Sequence, residues 1–387
     1  MKKFLLADFF WQFGDALFLT IVSWYILDTL HKSEYVSNFF TITTISGIVI
    51  SFAYWFLFIK RKATSIILVL NLVMITIICI SLVIIKVQGP NLYVIYMLAI
   101  CNGIGWNLYF PVSKILLKEI VGKEGALEGN SLSETAMQVG TLISSIIGSV
   151  LYKVLGFEII LIIIAILYFL NCIEIYTLKD IDKEQKIEYQ ESIKQIHLTK
   201  MICLCFAMSV PFIASICINI SLAGYVKNSL FANEICYGIM NAIFGVGACL
   251  AGFYTLTKFA KEKRNIAIVV CFLMTITFGI GLFIDVSIFL TGLGMLSFGI
   301  FGPSVRIFLY TEIMQLVDEK ILGVLLSVFN IIGLGVQMLI TLIMAHKVDE
   351  VGEKFGFLLY SGVMLIGFLC YGITRIQKTI CITNVED

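Results

Sequence analysis

The chain has 387 residues, of which 59% are hydrophobic and 14% charged, and its mean hydropathy is +0.99. A water-soluble domain of this size lacks the polar residues to cover so much apolar surface, so the composition excludes that class. The net charge of +1 gives no indication of a nucleic-acid partner.

Long apolar runs separated by short polar breaks recur along the whole chain. A bilayer core of about 30 Å needs ~20 apolar residues per helix. The first run contains Asp8 and Asp15 and no cleavage site follows it, so it indicates a membrane helix and not a signal peptide. The pattern predicts an all-α integral membrane protein with twelve transmembrane helices, near residues 4–27, 36–58, 64–86, 92–117, 132–152, 157–178, 200–226, 236–258, 265–284, 288–315, 321–345 and 356–376.

The longest polar stretch lies at the middle of the chain. It predicts an N-terminal six-helix half over 1–178, a cytoplasmic central loop over 179–199 and a C-terminal six-helix half over 200–387. With the N-terminus placed inside, 21 of the 27 Lys and Arg residues fall on the cytoplasmic side and 6 outside. Because cytoplasmic loops carry the excess of basic residues, both termini are predicted to be cytoplasmic, in the cell membrane.

The two halves also share a short motif. Pro111-Val-Ser-Lys114-Ile-Leu-Leu ends the fourth span, and Pro303-Ser-Val-Arg306-Ile-Phe-Leu lies in the tenth. Both have a basic residue three positions after proline, and they are six helices apart. This spacing indicates a parallel repeat, in which two pseudo-symmetric six-helix halves form one transporter.

The layout and the repeat resemble the major facilitator superfamily over the whole chain. Within it, Phe13-Gly14-Asp15, the Pro111 motif and the stretch Gly129-Asn130-Ser131-Leu132-Ser133-Glu134 through Gln138 are similar to the macrolide-efflux-type branch. The resemblance implies the major facilitator fold, alternating access, a monomer and export of drug-like molecules.

Two family motifs are altered in this chain. The loop between the second and third spans reads Phe58-Ile-Lys60-Arg61-Lys62, which keeps the basic residues but lacks the family's Asp and glycines. The antiporter motif of the fifth span has small residues at its matching positions, from Gly140 to Ser149, but lacks the proline. Small residues still allow close helix packing, while proton antiport is left open.

Ionisable side chains at membrane depth are the sharpest functional signal, because each costs on the order of 2.5–3.5 kcal/mol to insert. Asp8, Gln12 and Asp15 share one face of the first span. Asp15 near its middle is either a proton-binding carboxylate or a structural partner of a Lys or Arg, and Asp8 is a second candidate. Glu134 is either a third candidate or the last member of a Ser131–Glu134 helix capping box.

The remaining candidates fall into two groups. Polar and aromatic side chains within spans are candidates for lining a substrate cavity, or for interhelical hydrogen bonds: Gln12, Asn102, Trp106, Gln138, Asn219, Asn241, Asn330 and Gln337. Charged residues at the predicted cytoplasmic ends are candidates for gating or for fixing helix ends: Lys60, Arg61, Lys114, Glu119, Arg306 and Glu312.

The sequence shows no P-loop, no H-E-x-x-H and no G-x-S-x-G, so we predict a transporter and not an enzyme, with no cofactor and no metal. The predicted function is export of an amphipathic, antibiotic-like small molecule, coupled to protons. Three alternatives remain open: a dedicated exporter of a siderophore or other self-made metabolite, an uptake permease, and a non-transporting membrane scaffold or sensor. The predicted partners are the substrate, protons and the lipid bilayer.

Overall fold

The structure is a computed structural model, and it describes residues 1–30, 33–57, 61–89, 91–178, 198–232, 234–284, 287–317 and 319–383. The elements in this part of the chain are helices, in the order α1 (Lys2–Leu30), α2 (Ser33–Leu57), α3 (Ala63–Gln88), α4 (Leu92–Val121), α5 (Ala126–Tyr176), α6 (Leu198–Gly224), a π-helical turn (Tyr225–Ser229), α7 (Glu234–Leu256), α8 (Lys258–Glu262), α9 (Arg264–Ile284), α10 (Ile288–Leu316), α11 (Glu319–Val351) and α12 (Phe355–Thr383).

Within the described ranges, nine helices are long and apolar enough to cross a membrane, and a shorter apolar helical stretch covers Asn38–Tyr54. The helices begin and end within a few residues of most predicted spans. Helices satisfy their own backbone hydrogen bonds, which is the condition for crossing lipid. The chain is therefore a multi-pass membrane protein. Most of the predicted central loop, residues 179–197, lies outside the described residues.

The long helix α5 is two helices joined at a glycine. Gly156 has φ 77° and ψ 171°, which breaks the helical backbone between the fifth and sixth predicted spans. Only glycine adopts this conformation readily, because a Cβ atom would clash with the backbone. The break lies between the predicted boundaries at 152 and 157.

The described helices form two compact units by their internal packing. The first unit comprises Met1–Lys186 together with Asp318–Ile331, and the second comprises Ile187–Val317 together with Ile332–Asp387. Helix α11 is thus divided between them near Ile331. The division into halves at the central loop stays a prediction.

In the first unit, α1 packs along α5, α2 packs on α4, and α3 contacts α4 and α5. Two glycines allow the closest approaches. A Cβ atom on Gly140 would lie 3.0 Å from backbone atoms of Phe9 and Phe13, and one on Gly103 would collide with the carbonyl oxygen of Thr43. Gly140 of the altered antiporter motif therefore packs closely against α1.

In the second unit, α6 packs along α12, α7 packs on α10, and α9 contacts α10 and α12. The α7–α10 contact is again made at glycine, since a Cβ atom on Gly299 would collide with the carbonyl oxygen of Phe244. In both pairs, α2–α4 and α7–α10, a glycine thus lets the two backbones approach closely. Prolines also lie inside α4 and α10, at Pro111 and Pro303.

Candidate functional site

The two acidic residues of α1 lie seven residues apart, which is two helical turns, and both are buried in the first unit. Asp8 is 0% exposed and Asp15 is 3% exposed. The sequence places both acids on one face of the first span. The structure encloses both carboxyl groups between α1 and its neighbours, and it gives them different surroundings.

Asp8 is held by donors from two other helices. Tyr109 of α4 donates from its hydroxyl to Asp8 Oδ1 at 2.9 Å, and Ser133 of α5 donates to Asp8 Oδ2 at 2.6 Å. Lys114 Nζ donates to the same Ser133 oxygen at 3.1 Å and lies 5.6 Å from the centre of the Phe110 ring. We call Asp8, Tyr109, Lys114 and Ser133 the Asp8 cluster. A carboxylate with two donors and a nearby ammonium group is a compensated buried charge.

Two buried asparagines extend this cluster. Asn171 of α5 donates from Nδ2 to the carbonyl of Ala7 at 2.7 Å and to the Tyr109 hydroxyl at 3.3 Å. Its Oδ1 accepts from Asn71 of α3 at 2.7 Å. The network joins α1, α3, α4 and α5. Sequence reasoning missed Asn71 and Asn171, although an asparagine in the middle of an apolar run is the signal that identifies them.

Asp15 has a different environment, in which Asn102 of α4 donates from Nδ2 to Asp15 Oδ1 at 2.8 Å. Tyr168 of α5 and Cys101 of α4 lie close enough to interact electrostatically with it. No Lys or Arg of the described ranges faces the carboxyl group. We call Asp15, Asn102, Cys101 and Tyr168 the Asp15 site. One alternative for Asp15 is a structural pairing with a Lys or Arg, and the described part of the chain contains no such partner.

Glu134 is buried on α5, and Gln138 donates from Nε2 to Glu134 Oε1 at 2.9 Å. It lies close enough to Asp8 for their charges to interact. The predicted capping box is wrong, because α5 begins at Ala126 and Ser131 is already inside it. The Ser131 hydroxyl donates back to the carbonyl of Leu127, as serines within helices do.

A model of the family described as Major Facilitator Superfamily matches residues 4–341. The chain belongs to the Major Facilitator Superfamily. No curated protein sequence matches it.

Solved structures of several transporters share the fold. A bacterial homologue of the iron transporter ferroportin in the outward-facing state is similar at a TM-score of 0.76 and 13% identity, over 97% of this chain and 98% of that one. The human organic anion transporter MFSD10 (TETRAN) is similar at 0.73 and 10%, over 96% and 99%. The proton:xylose symporter XylE, bound to 6-bromo-6-deoxy-D-glucose, is similar at 0.71 and 13%, over 95% of each chain. The family match and these likenesses agree on the fold of a membrane transporter.

In this superfamily member, three of the predicted cavity residues are partly buried. Asn330, in the part of α11 that belongs to the first unit, donates from Nδ2 to Asn107 Oδ1 at 2.5 Å and to Ser51 at 3.4 Å. Gln337 donates to the carbonyl of Phe212 at 2.8 Å. Trp106 stacks on Phe110 with ring centres 5.5 Å apart.

For Asn219 and Asn241, the role in lining a cavity stays a prediction. Both side chains are exposed on the surface of the second unit. Asn241 satisfies its amide by donating to the carbonyl of Tyr237, one turn earlier on α7, at 3.1 Å.

Among the predicted gate residues, Glu312 has its ion pair with Arg375 of α12, whose Nη2 lies 2.5 Å from Oε2. Residues six positions apart on a helix point to different faces, so Arg306 and Glu312 diverge on α10. Arg264 of α9 donates to the carbonyl of Phe308 at 2.6 Å and to Gln315 at 3.1 Å. Sequence reasoning did not single out Arg264 and Arg375.

The other gate candidates lie apart from the Asp15 site. Lys114 belongs to the Asp8 cluster, Glu119 is half-buried near Tyr54, and Arg61 is exposed. Lys60 lies outside the described residues. In the part of the chain that the structure describes, no group of three His, Cys, Asp or Glu residues is close enough to hold a metal ion.

Proposed function

We propose that this protein exports an amphipathic, drug-like small molecule in exchange for protons, which bind to Asp15. The observation that carries the proposal is the environment of Asp15. Its carboxyl group is 3% exposed, accepts a hydrogen bond from Asn102, and faces no described Lys or Arg. Such a group is stable when it holds a proton and costly when it is ionised, because nothing nearby compensates the charge.

The transport cycle that we propose follows from this property. Twelve transmembrane helices form two six-helix halves that rock around a central site, with both termini in the cytoplasm and the protein acting as a monomer in the cell membrane. The Asp15 carboxyl group carries its proton while enclosed and releases it when one half-cycle exposes it to water. A proton that crosses a potential of 100 mV supplies about 2.3 kcal/mol, which is sufficient for a modest concentrative step.

The substrate class rests on the resemblance to the macrolide-efflux-type branch. The 30 Phe, 16 Tyr and 4 Trp residues agree with a bulky, amphipathic substrate, since aromatic surfaces adapt to such molecules. A siderophore or another self-made metabolite has the same chemical character and is the alternative within this function.

The first test measures accumulation of a panel of macrolides, dyes and lipophilic cations in cells that express the protein, with and without a protonophore. We expect lower accumulation of at least one compound, and we expect the protonophore to abolish the difference. An unchanged accumulation of every compound would contradict drug export and would direct the search to metabolites of the host.

The second test uses purified protein in proteoliposomes and a compound that the cell assay identifies. The Asp15→Asn variant is expected to lose transport driven by a pH gradient but to keep exchange of labelled for unlabelled compound, because asparagine preserves the shape of the site and removes the exchangeable proton. Glu262→Gln, on an exposed side chain of α8, is the matched control and should transport normally. Uphill transport by Asp15→Asn at the normal rate would exclude Asp15 from coupling.

A further inference from the structure

The hydroxyl group of Tyr168 is a buried polar atom that the fold leaves unused. Tyr168 is 0% exposed, and within the described part of the chain its hydroxyl has no hydrogen-bond partner. Buried polar groups in native proteins are nearly always satisfied, so an exception calls for an explanation. Phenylalanine would fill the same volume without this penalty.

The ring of Tyr168 is fixed against the face of α1 that carries Asp15. Its centre lies 5.0 Å from that of Trp11, one turn before Asp15. On the other side it covers Gly14, where an added Cβ atom would lie 3.2 Å from the tyrosine Cε1. This packing brings the tyrosine hydroxyl within electrostatic reach of both Asp15 and Cys101. Glycine at position 14 is thus part of the reason that the tyrosine approaches the carboxyl group.

We propose that Tyr168 is a positioning residue of the proton site, whose hydroxyl donates a hydrogen bond to the Asp15 carboxylate when that group has released its proton. The inference rests on the proposed function, since it requires Asp15 to ionise during the cycle. The proton of Asp15 leaves to water, and Tyr168 keeps its own proton and donates only the hydrogen bond. Asn102 and Tyr168, from α4 and α5, then hold the ionised group from two sides.

The side chains around Asp15 favour Tyr168 as the residue that donates this hydrogen bond. The titratable side chains that do so in the described ranges are Tyr168 from α5 and Cys101 from α4; α2, which also packs on α1, contributes none. Trp11 of α1 also has a buried Nε1 donor with no partner in the described ranges, but its ring stacks on Tyr109, a member of the Asp8 cluster. Because a hydrogen bond to an ionised acceptor is about twice as strong as a neutral one, its removal favours the protonated carboxyl group.

The test measures protonation of Asp15 directly and needs no substrate. Infrared spectra of the protein in lipid vesicles are recorded across a pH series, and the C=O band of the protonated carboxyl group is assigned by its loss in Asp15→Asn. In Tyr168→Phe we expect the midpoint of this band to move to higher pH by about 1 unit, because the ionised form has lost a donor. Tyr360→Phe is the control, because it removes a hydroxyl from a buried tyrosine on α12, in the second unit. It should leave the midpoint unchanged.

An equal midpoint in Tyr168→Phe and the wild-type protein would overturn the inference. A C=O band of protonated Asp15 that persists at every pH would also overturn it, because Asp15 would then have no ionised form. A second measurement covers the case in which the variant does not fold. Ring-labelled tyrosine in the wild-type protein should show a band that changes with the Asp15 midpoint, and its absence would also overturn the inference. Failure of the proposed function gives a different result, in which the band titrates normally but a pH gradient drives no transport.

Discussion

Asp8 and Asp15 lie on the same helix, two turns apart, and their neighbours separate their roles. Asp8 accepts hydrogen bonds from Tyr109 and Ser133, with Lys114 bound to the same serine. Asp15 accepts one from Asn102 and faces no described cation. A compensated charge contributes to the fold, whereas an uncompensated carboxyl group is suited to exchange a proton.

This difference predicts that the same substitution has a large effect on stability at one site and a small effect at the other. Asp8→Asn leaves the Lys114 ammonium group buried without its carboxylate, and we expect a loss of about 3 kcal/mol. Asp15→Asn replaces a carboxyl group that faces no described cation by an amide of the same shape, and it should change stability by less than about 1 kcal/mol. Thermal unfolding of the purified variants in one detergent measures both.

The double variant Asp8→Asn with Lys114→Met provides the control. It removes both charges of the Asp8 cluster, so most of the lost stability should return. If the single Asp8 variant unfolds at the same temperature as the wild-type protein, the cluster is not a compensated pair in the membrane.

Sequence reasoning found both acids because an ionisable residue in an apolar run is conspicuous. It missed Tyr109, Tyr168 and Asn171, because tyrosine and asparagine are ordinary in membrane helices and their partners come from other helices. Helical periodicity shows which residues share a face, but it does not show what that face contacts. The capping box at Ser131 failed for a related reason, since the motif does not reveal that the helix has already begun at Ala126.

At the scale of helices, the predicted spans and the observed elements agree because ~20 apolar residues leave the backbone few alternatives to a membrane helix. Gly156 marks the break in α5 that the sequence placed between two spans. The helix pairs were not predictable, because they depend on where glycine lets two backbones approach. Gly103 at the α2–α4 contact and Gly299 at the α7–α10 contact are the positions that reveal this in the structure.

These contacts predict a position-dependent effect of one small change. Gly299→Ala places a methyl group against the carbonyl of Phe244, and we expect it to destabilise the protein by about 1–3 kcal/mol, because backbone atoms have to move. Gly238→Ala in α7 places the same methyl group in open space and should stabilise slightly, by roughly 0.5–1 kcal/mol, as alanine favours helix. Thermal unfolding of both variants tests the pairing, and equal effects at the two sites would contradict it.

At the scale of the whole molecule, the sequence predicts orientation through its distribution of Lys and Arg, and it predicts the repeat through the Pro111 and Pro303 motifs. The packing adds that α2–α4 and α7–α10 are built alike. The assignment of the first part of α11 to the first unit was not predictable, because it depends on packing between segments that are far apart in the sequence, as in the contacts of Asn330 with Ser51 and Asn107.

The predicted orientation has a direct test in each half. Single cysteines replace exposed residues in a variant without native cysteines, at Arg61 and Gln88 in the first half and at Phe231 and Lys261 in the second. A membrane-impermeant maleimide should label positions 88 and 231 in intact cells, and positions 61 and 261 only after the cells are permeabilised, because the basic loops stay in the cytoplasm. If the two positions of one half exchange sides while those of the other do not, the halves are inverted with respect to each other, and the parallel repeat that supports alternating access would have to be abandoned.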